Sequence, residues 1–135
     1  MPRIIADHNI EGHLKVLVRI LQTGPWAEIW NEIGVEIVSF ENLGLSPDAS
    51  DTDLWQGCQN HEVVLITANR NKSGADSLEA TIARSNQASS LPVLTVSDAD
   101  QILTSKEYAT RVVSQLLEFL YDLDNIRGTG RLYLP

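Results

Sequence analysis

Short unbroken apolar runs alternate along this chain with stretches in which apolar residues return every three or four positions. The first rhythm suits strands buried on both faces, the second amphipathic helices. Arg3–Ala6 reads as a first strand, ended by Asp7, His8 and Asn9. A helix over roughly Ile10–Gln22 follows, its stripe formed by Ile10, Leu14, Leu17, Val18 and Leu21. Thr23-Gly24-Pro25 ends it and opens another helix, with Trp26, Ile29, Trp30 and Ile33 inward and Gly34 at its end. Val35–Phe40 reads as a second strand, and Gly44, Pro47 and Asp48 mark a loop behind it. Ser50 caps a helix that carries Leu54, Trp55 and Cys58, with Asp53 at the reciprocal third position.

The next run, Glu62–Thr67, is the most apolar, and the chain is organised around it. It empties into Asn69-Arg70-Asn71-Lys72, the turn pair Ser73-Gly74, and then Asp76-Ser77-Leu78-Glu79, whose spacing predicts a helix N-cap at Asp76. A helix over Ser77–Asn86, a fourth strand over Pro92–Val96 and a short helix over Asp98–Leu103 come next. Thr104-Ser105-Lys106-Glu107 has the form of a capping box for a long last helix, roughly Ser105–Asp122. Residues 124–135 form a tail in which Gly128 and Gly130 flank Thr129 between two arginines. Leu132-Tyr133-Leu134 reads as an extended apolar segment that must dock somewhere, a neighbouring subunit included. Strand alternating with helix predicts an α/β fold: one domain over 1–135, a Rossmann-like three-layer sandwich on a mainly parallel four-stranded sheet.

Composition narrows the classes. With 135 residues, 43% of them hydrophobic and 21% charged, the chain can bury a real core. A net charge of −8 argues against nucleic-acid binding by bulk charge. A single cysteine, Cys58, precludes an internal disulfide and reads as a buried small hydrophobe. No long apolar segment opens the chain and no run reaches membrane-span length, so the expectation is a cytoplasmic protein that does not engage a membrane.

Ligands of open α/β sheets bind outside the carboxyl ends of the strands. That rim would gather Asp7, Asn9, Asn69, Asn71 and Asp98, with Asp51 and Asp53 opening one adjacent helix and Asp76 another. Converging acids suit Mg²⁺ or Mn²⁺, which take oxygen ligands and can polarise a phosphodiester. Each acid also has a purely structural account. Asp51 and Asp53 complement a helix dipole, and Asp76 is explained by capping. Asn69 and Asn71 suit tight turns, and Arg70 and Lys72 would then be solvated cations. His8 and His13 are five apart, the wrong spacing for a helical metal pair.

Three motifs together resemble the PIN-like domains, specifically the compact bacterial group. They are Ile5-Ala6-Asp7-His8-Asn9, Ser50-Asp51-Thr52-Asp53-Leu54-Trp55 and Leu65-Ile66-Thr67-Ala68-Asn69-Arg70-Asn71. The resemblance covers roughly Arg3 to Val96. Asn69-Arg70-Asn71, Asp76-Ser77-Leu78-Glu79 and Arg127-Gly128-Thr129-Gly130-Arg131 also look like a subgroup with no assigned activity. It implies a Rossmann-like fold and a metal-dependent ribonuclease ancestry, often as the toxin of a toxin–antitoxin pair. Asp7 falls on the family's first metal acid and Asp51 on its middle acid. The late acids fall on Asn69 and Asn71, where amides replace carboxylates and weaken the site for a hard dication.

Two functions follow as expectations. One is a divergent Mg²⁺- or Mn²⁺-dependent ribonuclease, with Asp7, Asp51 and Asp76 as catalytic and metal residues and Asn9, Asn69, Arg70 and Asn71 on the substrate. The other is a non-catalytic PIN-like module that binds RNA or a protein partner. On either reading a homodimer through the last helix or the C-terminal tail is an expectation. No Gly-x-Ser-x-Gly elbow, phosphate loop or Gly-x-Gly-x-x-Gly occurs, which argues against serine hydrolysis and nucleotide binding.

Overall fold

The computed structural model describes residues 1–69, 74 and 77–135. Five strands form one sheet: β1 (Arg3–Ala6), β2 (Glu36–Ile37), β3 (Val63–Thr67), β4 (Val93–Val96) and β5 (Arg131–Leu134), in the order β2-β1-β3-β4-β5. Every pairing is parallel. Among the described residues six α-helices connect or cover them: α1 (Glu11–Leu21), α2 (Ala27–Ile33), α3 (Asp51–Asn60), α4 (Leu78–Ser85), α5 (Ala99–Thr104) and α6 (Lys106–Tyr121).

Alternation along the strands divides the core in two. Ile4, Ala6, Val64, Ile66, Leu94, Val96 and Leu134 pack with α1, α2, α5 and α6 on one face. Ile5, Val63, Leu65 and Val93 pack with α3 and α4 on the other. Because both faces are covered, all five residues of β3 are buried, which is why that run shows no polar alternation. Helix α6 lays Val112, Val113, Leu116, Leu117 and Leu120 onto the first core.

The sheet has five strands where the sequence predicts four, because the tail supplies one. Leu132 pairs with Leu94 and Leu134 with Val96. Leu134 is fully buried. Leu134 of the tail and the inner face of the last helix thus pack within one chain, while Tyr121 and Tyr133 stay exposed. The approach to β5 is tight. Gly128, at φ +86, passes so near Ala88 that a Cβ there would stand 3.0 Å from its carbonyl oxygen. Arg127 bonds the Ser89 carbonyl at 2.9 Å and pairs with Glu62 at 3.2 Å.

Three boundaries also differ from expectation. The second strand is only Glu36–Ile37, because Ser39 and Asn42 exchange backbone-to-side-chain hydrogen bonds of 2.9 and 3.2 Å and turn the chain. The cap of α4 is Ser77, whose Oγ accepts from the Ala80 N–H at 3.1 Å, one position beyond Asp76. The cap of α6 is Ser105, accepting from Tyr108 N–H at 3.1 Å, one beyond Thr104. Among the described residues no helix is long and apolar enough to cross a membrane.

Candidate functional site at the β1–β3 switch point

In the order 2-1-3-4-5, the connection from β1 leads outward to β2, whereas the chain from β3 onward runs the other way. The crevice between the ends of β1 and β3 is therefore the topological switch point. Asp7 follows β1 and Thr67 ends β3. Thr67, fully buried, donates its hydroxyl to Asp7 Oδ2 at 2.8 Å. The same hydroxyl accepts the Asn69 N–H at 2.9 Å, which turns the chain out of the strand as an ST-type turn. The Asn69 side chain donates Nδ2–H to Asp51 Oδ2 at 3.0 Å. The Leu78 N–H, at the start of α4, donates to that same oxygen at 3.1 Å. One chain of hydrogen bonds thus runs from Asp7 through Thr67 and Asn69 to Asp51 and α4.

Asp51 reaches this position from the first turn of α3, where Ser50 Oγ accepts the Asp53 N–H at 3.1 Å. Helices α3 and α4 are further tied by Thr52 and Thr81, whose hydroxyls lie 2.7 Å apart. Thr81 donates to the Ser77 carbonyl, so the shared proton comes from Thr52. In both Asp7 and Asp51 it is Oδ2 that is committed inward. Their Oδ1 atoms accept no protein hydrogen bond among the described residues.

Of the residues expected at the site, the structure brings together Asp7, Asp51 and Asn69. Asn9 lies exposed in the turn His8–Ile10, close in sequence to Asp7 but outside the hydrogen-bond chain. Arg70, Asn71 and Asp76 lie outside the described residues. Asp98 stands at the start of α5 and accepts from Gln101 Nε2 at 2.7 Å. Among the described residues no group of three or more His, Cys, Asp or Glu side chains could hold a metal ion. His8 is turned to Glu11, 2.6 Å away, and His61 Nδ1 lies 3.0 Å from the Gly57 carbonyl.

Two residues of the site were not foreseen. Thr67 is one; it stands at the head of the late motif, but no role at the site was assigned to its hydroxyl. The other is Arg131. Its side chain is 6% exposed and sits between three elements. Nη1 donates to the Asn69 carbonyl at 2.8 Å and to Thr95 Oγ1 at 2.6 Å. Nε donates to Glu79 Oε2 at 3.1 Å. An arginine directly before the apolar segment Leu132-Tyr133-Leu134 was the available signal, since a charge carried in with a docking segment must find a partner.

Cys58 lies below this rim, 1% exposed. Burial, and then the neighbouring Asp7 carboxylate, push its thiol up to about 12. The thiol therefore keeps its proton in the fold at pH values where an unfolded cysteine ionises. Its contribution to stability is constant below the unfolded value near 8.5 and falls as pH rises from there toward 12. Iodoacetamide at pH 8 is expected to leave the native protein unmodified by mass spectrometry while alkylating it fully in urea. Rapid native labelling would contradict the burial of the thiol.

Comparison with protein-family models, with curated proteins and with solved structures returns no match.

Proposed function

We propose that this chain is a divergent PIN-like protein whose switch-point rim acts on RNA phosphodiesters with a Mg²⁺ or Mn²⁺ ion. One observation carries the reading. Asp7 and Asp51 are each oriented by donors to Oδ2, and in each the second oxygen accepts no hydrogen bond from the described residues. Carboxylates that ligate metals are held by such outer hydrogen bonds. Mg²⁺ is commonly held by one or two carboxylates, waters and substrate phosphates, and this donor set fits that habit. Asp7 and Asp51 would hold the ion, which when bound would supply Lewis acidity toward a phosphoryl oxygen. Asn69, neutral and hydrogen-bonded to Asp51, would orient rather than ligate. Asn9, Arg70 and Asn71 would contact the substrate, and Asp76 would add a third carboxylate.

The test is calorimetric titration with Mn²⁺, alongside cleavage of single-stranded RNA. Asp7→Asn is expected to weaken Mn²⁺ at least about tenfold and to abolish cleavage. Wild-type protein that neither binds Mn²⁺ nor cleaves RNA would sink the proposal.

A second reading is favoured by the Asn69 amide. Its Nδ2–H already offers a positive dipole to Asp51, where a dication would otherwise balance the carboxylate. On that reading the chain is a non-catalytic PIN-like module whose rim binds RNA or a protein partner without metal. The same titration separates the two.

A further inference from the structure

Away from the rim hydrogen bonds, a groove of about 490 Å³ runs between α1 and the segment that leaves β2. Its floor is apolar, with Leu14 and Val18 from α1 facing Val38 and Phe40. Its wall carries Lys15 and Arg19, one helical turn apart and therefore on the same side of α1. Both are exposed, and among the described residues neither side chain makes a hydrogen bond or ion pair. Among the described residues Lys106 is likewise exposed and unbonded, but it opens α6, away from the groove lining. Arg3, Arg127 and Arg131 are each paired with a carboxylate, and Arg111 lies over the Tyr108 ring. The groove's own acid, Glu11, is engaged by His8 at 2.6 Å.

We infer that this groove binds a small amphipathic anion, an organic acid whose apolar body lies on the floor and whose carboxylate meets Lys15 and Arg19. The volume is that of a small-ligand site, and such sites are mostly apolar with a few placed polar groups. Charge complementarity selects the anion: two cations, Lys15 and Arg19, stand on one wall of the cavity against a single lining acid, Glu11, which His8 contacts at 2.6 Å. An added peptide strand fits less well. Strand β2 offers only two residues, and the Ser39 N–H beyond it is taken by Asn42 Oδ1 at 2.9 Å. The inference stands on residues that the rim reading does not use.

The probes are decanoate, decanol and decylamine, each titrated into ¹⁵N-labelled protein with amide shifts followed by NMR. Decanoate is expected to saturate, with shifts clustered on α1 and residues 37–42, and to bind more tightly than decylamine. In the double variant Lys15→Glu/Arg19→Glu, decanoate should bind at least about tenfold more weakly, as the loss of a charge-assisted contact requires, while decanol is unaffected. Both positions are exposed, so an unchanged spectrum outside the groove verifies the fold. Non-saturating shifts, shifts centred elsewhere, decylamine binding as tightly as decanoate, or a double variant with wild-type affinity would each overturn the assignment.

Discussion

Replacing Arg131 with alanine is expected to cost about 2–4 kcal/mol of folding stability, a large share of what a domain of this size has. The guanidinium is almost wholly buried and fastens the Asn69 carbonyl, Thr95 Oγ1 and Glu79 at once. Removing it strands Thr95, which is fully buried, and leaves a carboxylate without its cation. Glu79 is 40% exposed and can regain water, so the loss should fall short of that for a fully buried pair. Arg131→Lys should recover only part of the deficit, because a single ammonium cannot span three acceptors from one planar fork. The double variant Arg131→Met/Glu79→Leu removes both charges and should still be less stable than wild type, since Thr95 and the Asn69 carbonyl keep their need for a donor. Urea denaturation measures all three. A single Arg131→Ala variant within 0.5 kcal/mol of wild type, about the range of an ordinary surface change, would show that the clamp is decorative.

The second large effect is expected from Asn69→Asp. The Asn69 amide now donates to Asp51 Oδ2 at 3.0 Å; an aspartate there would set one carboxylate against another. At neutral pH the variant should lose about 2–3 kcal/mol, through the lost hydrogen bond and like-charge repulsion. The sign of the pH dependence follows. Repulsion raises the folded pKa of the carboxylate pair above the unfolded value near 4, so the folded variant binds more protons than the unfolded chain. Its deficit relative to wild type should therefore shrink as pH falls toward 4 and grow as pH rises through the raised value. Mn²⁺ should act like the proton. If the ion binds between the two acids, concentrations about a hundredfold above Kd return about 2.7 kcal/mol. Thermal unfolding with and without Mn²⁺ at two pH values tests this. A variant insensitive to both would mean that residues 51 and 69 do not face each other.

These two positions also show what could be read from the sequence. Asp7, Asp51 and Asn69 were legible because each stands at the end of a strand or the start of a helix, where the local pattern changes. Their meeting place follows from sheet order. The links between them were not legible. Thr67 looks like any β-branched strand residue, and its hydroxyl matters only because β1 lies beside β3, with Ala6 opposite Ile66. Arg131 comes to Asn69 and Thr95 only because β5 is laid beside β4.

Strands β1, β3 and β4 were visible as apolar runs because helices cover both of their faces. The fifth strand was visible only as an apolar tail. Pairing with β4 is a long-range event, and nothing local marks four residues as sheet rather than docked extended chain. The second strand was read too long for the opposite reason. Val35 through Phe40 keeps a strand-like pattern, yet after the Val38 N–H bonds the Ile4 carbonyl at 2.9 Å the Ser39–Asn42 exchange turns the chain away. The caps of α4 and α6 each moved by one residue. In both places two capping residues stand side by side, Asp76-Ser77 and Thr104-Ser105, and propensity cannot choose between them.

The placement of β5 has a consequence for how the chain is made. Strand β4 is buried on both faces and depends for its outer edge on residues 131–134. Those residues are joined to the chain only after roughly 35 more have been added, and β4 lacks its outer neighbour until they dock. Through that interval Val93–Val96 presents an unpaired row of backbone donors and acceptors, carried on an apolar and nearly uncharged segment, to any other nascent chain. Arg131 opens the closing strand, and its contacts with Thr95 and Asn69 tie that edge of the sheet to the rim.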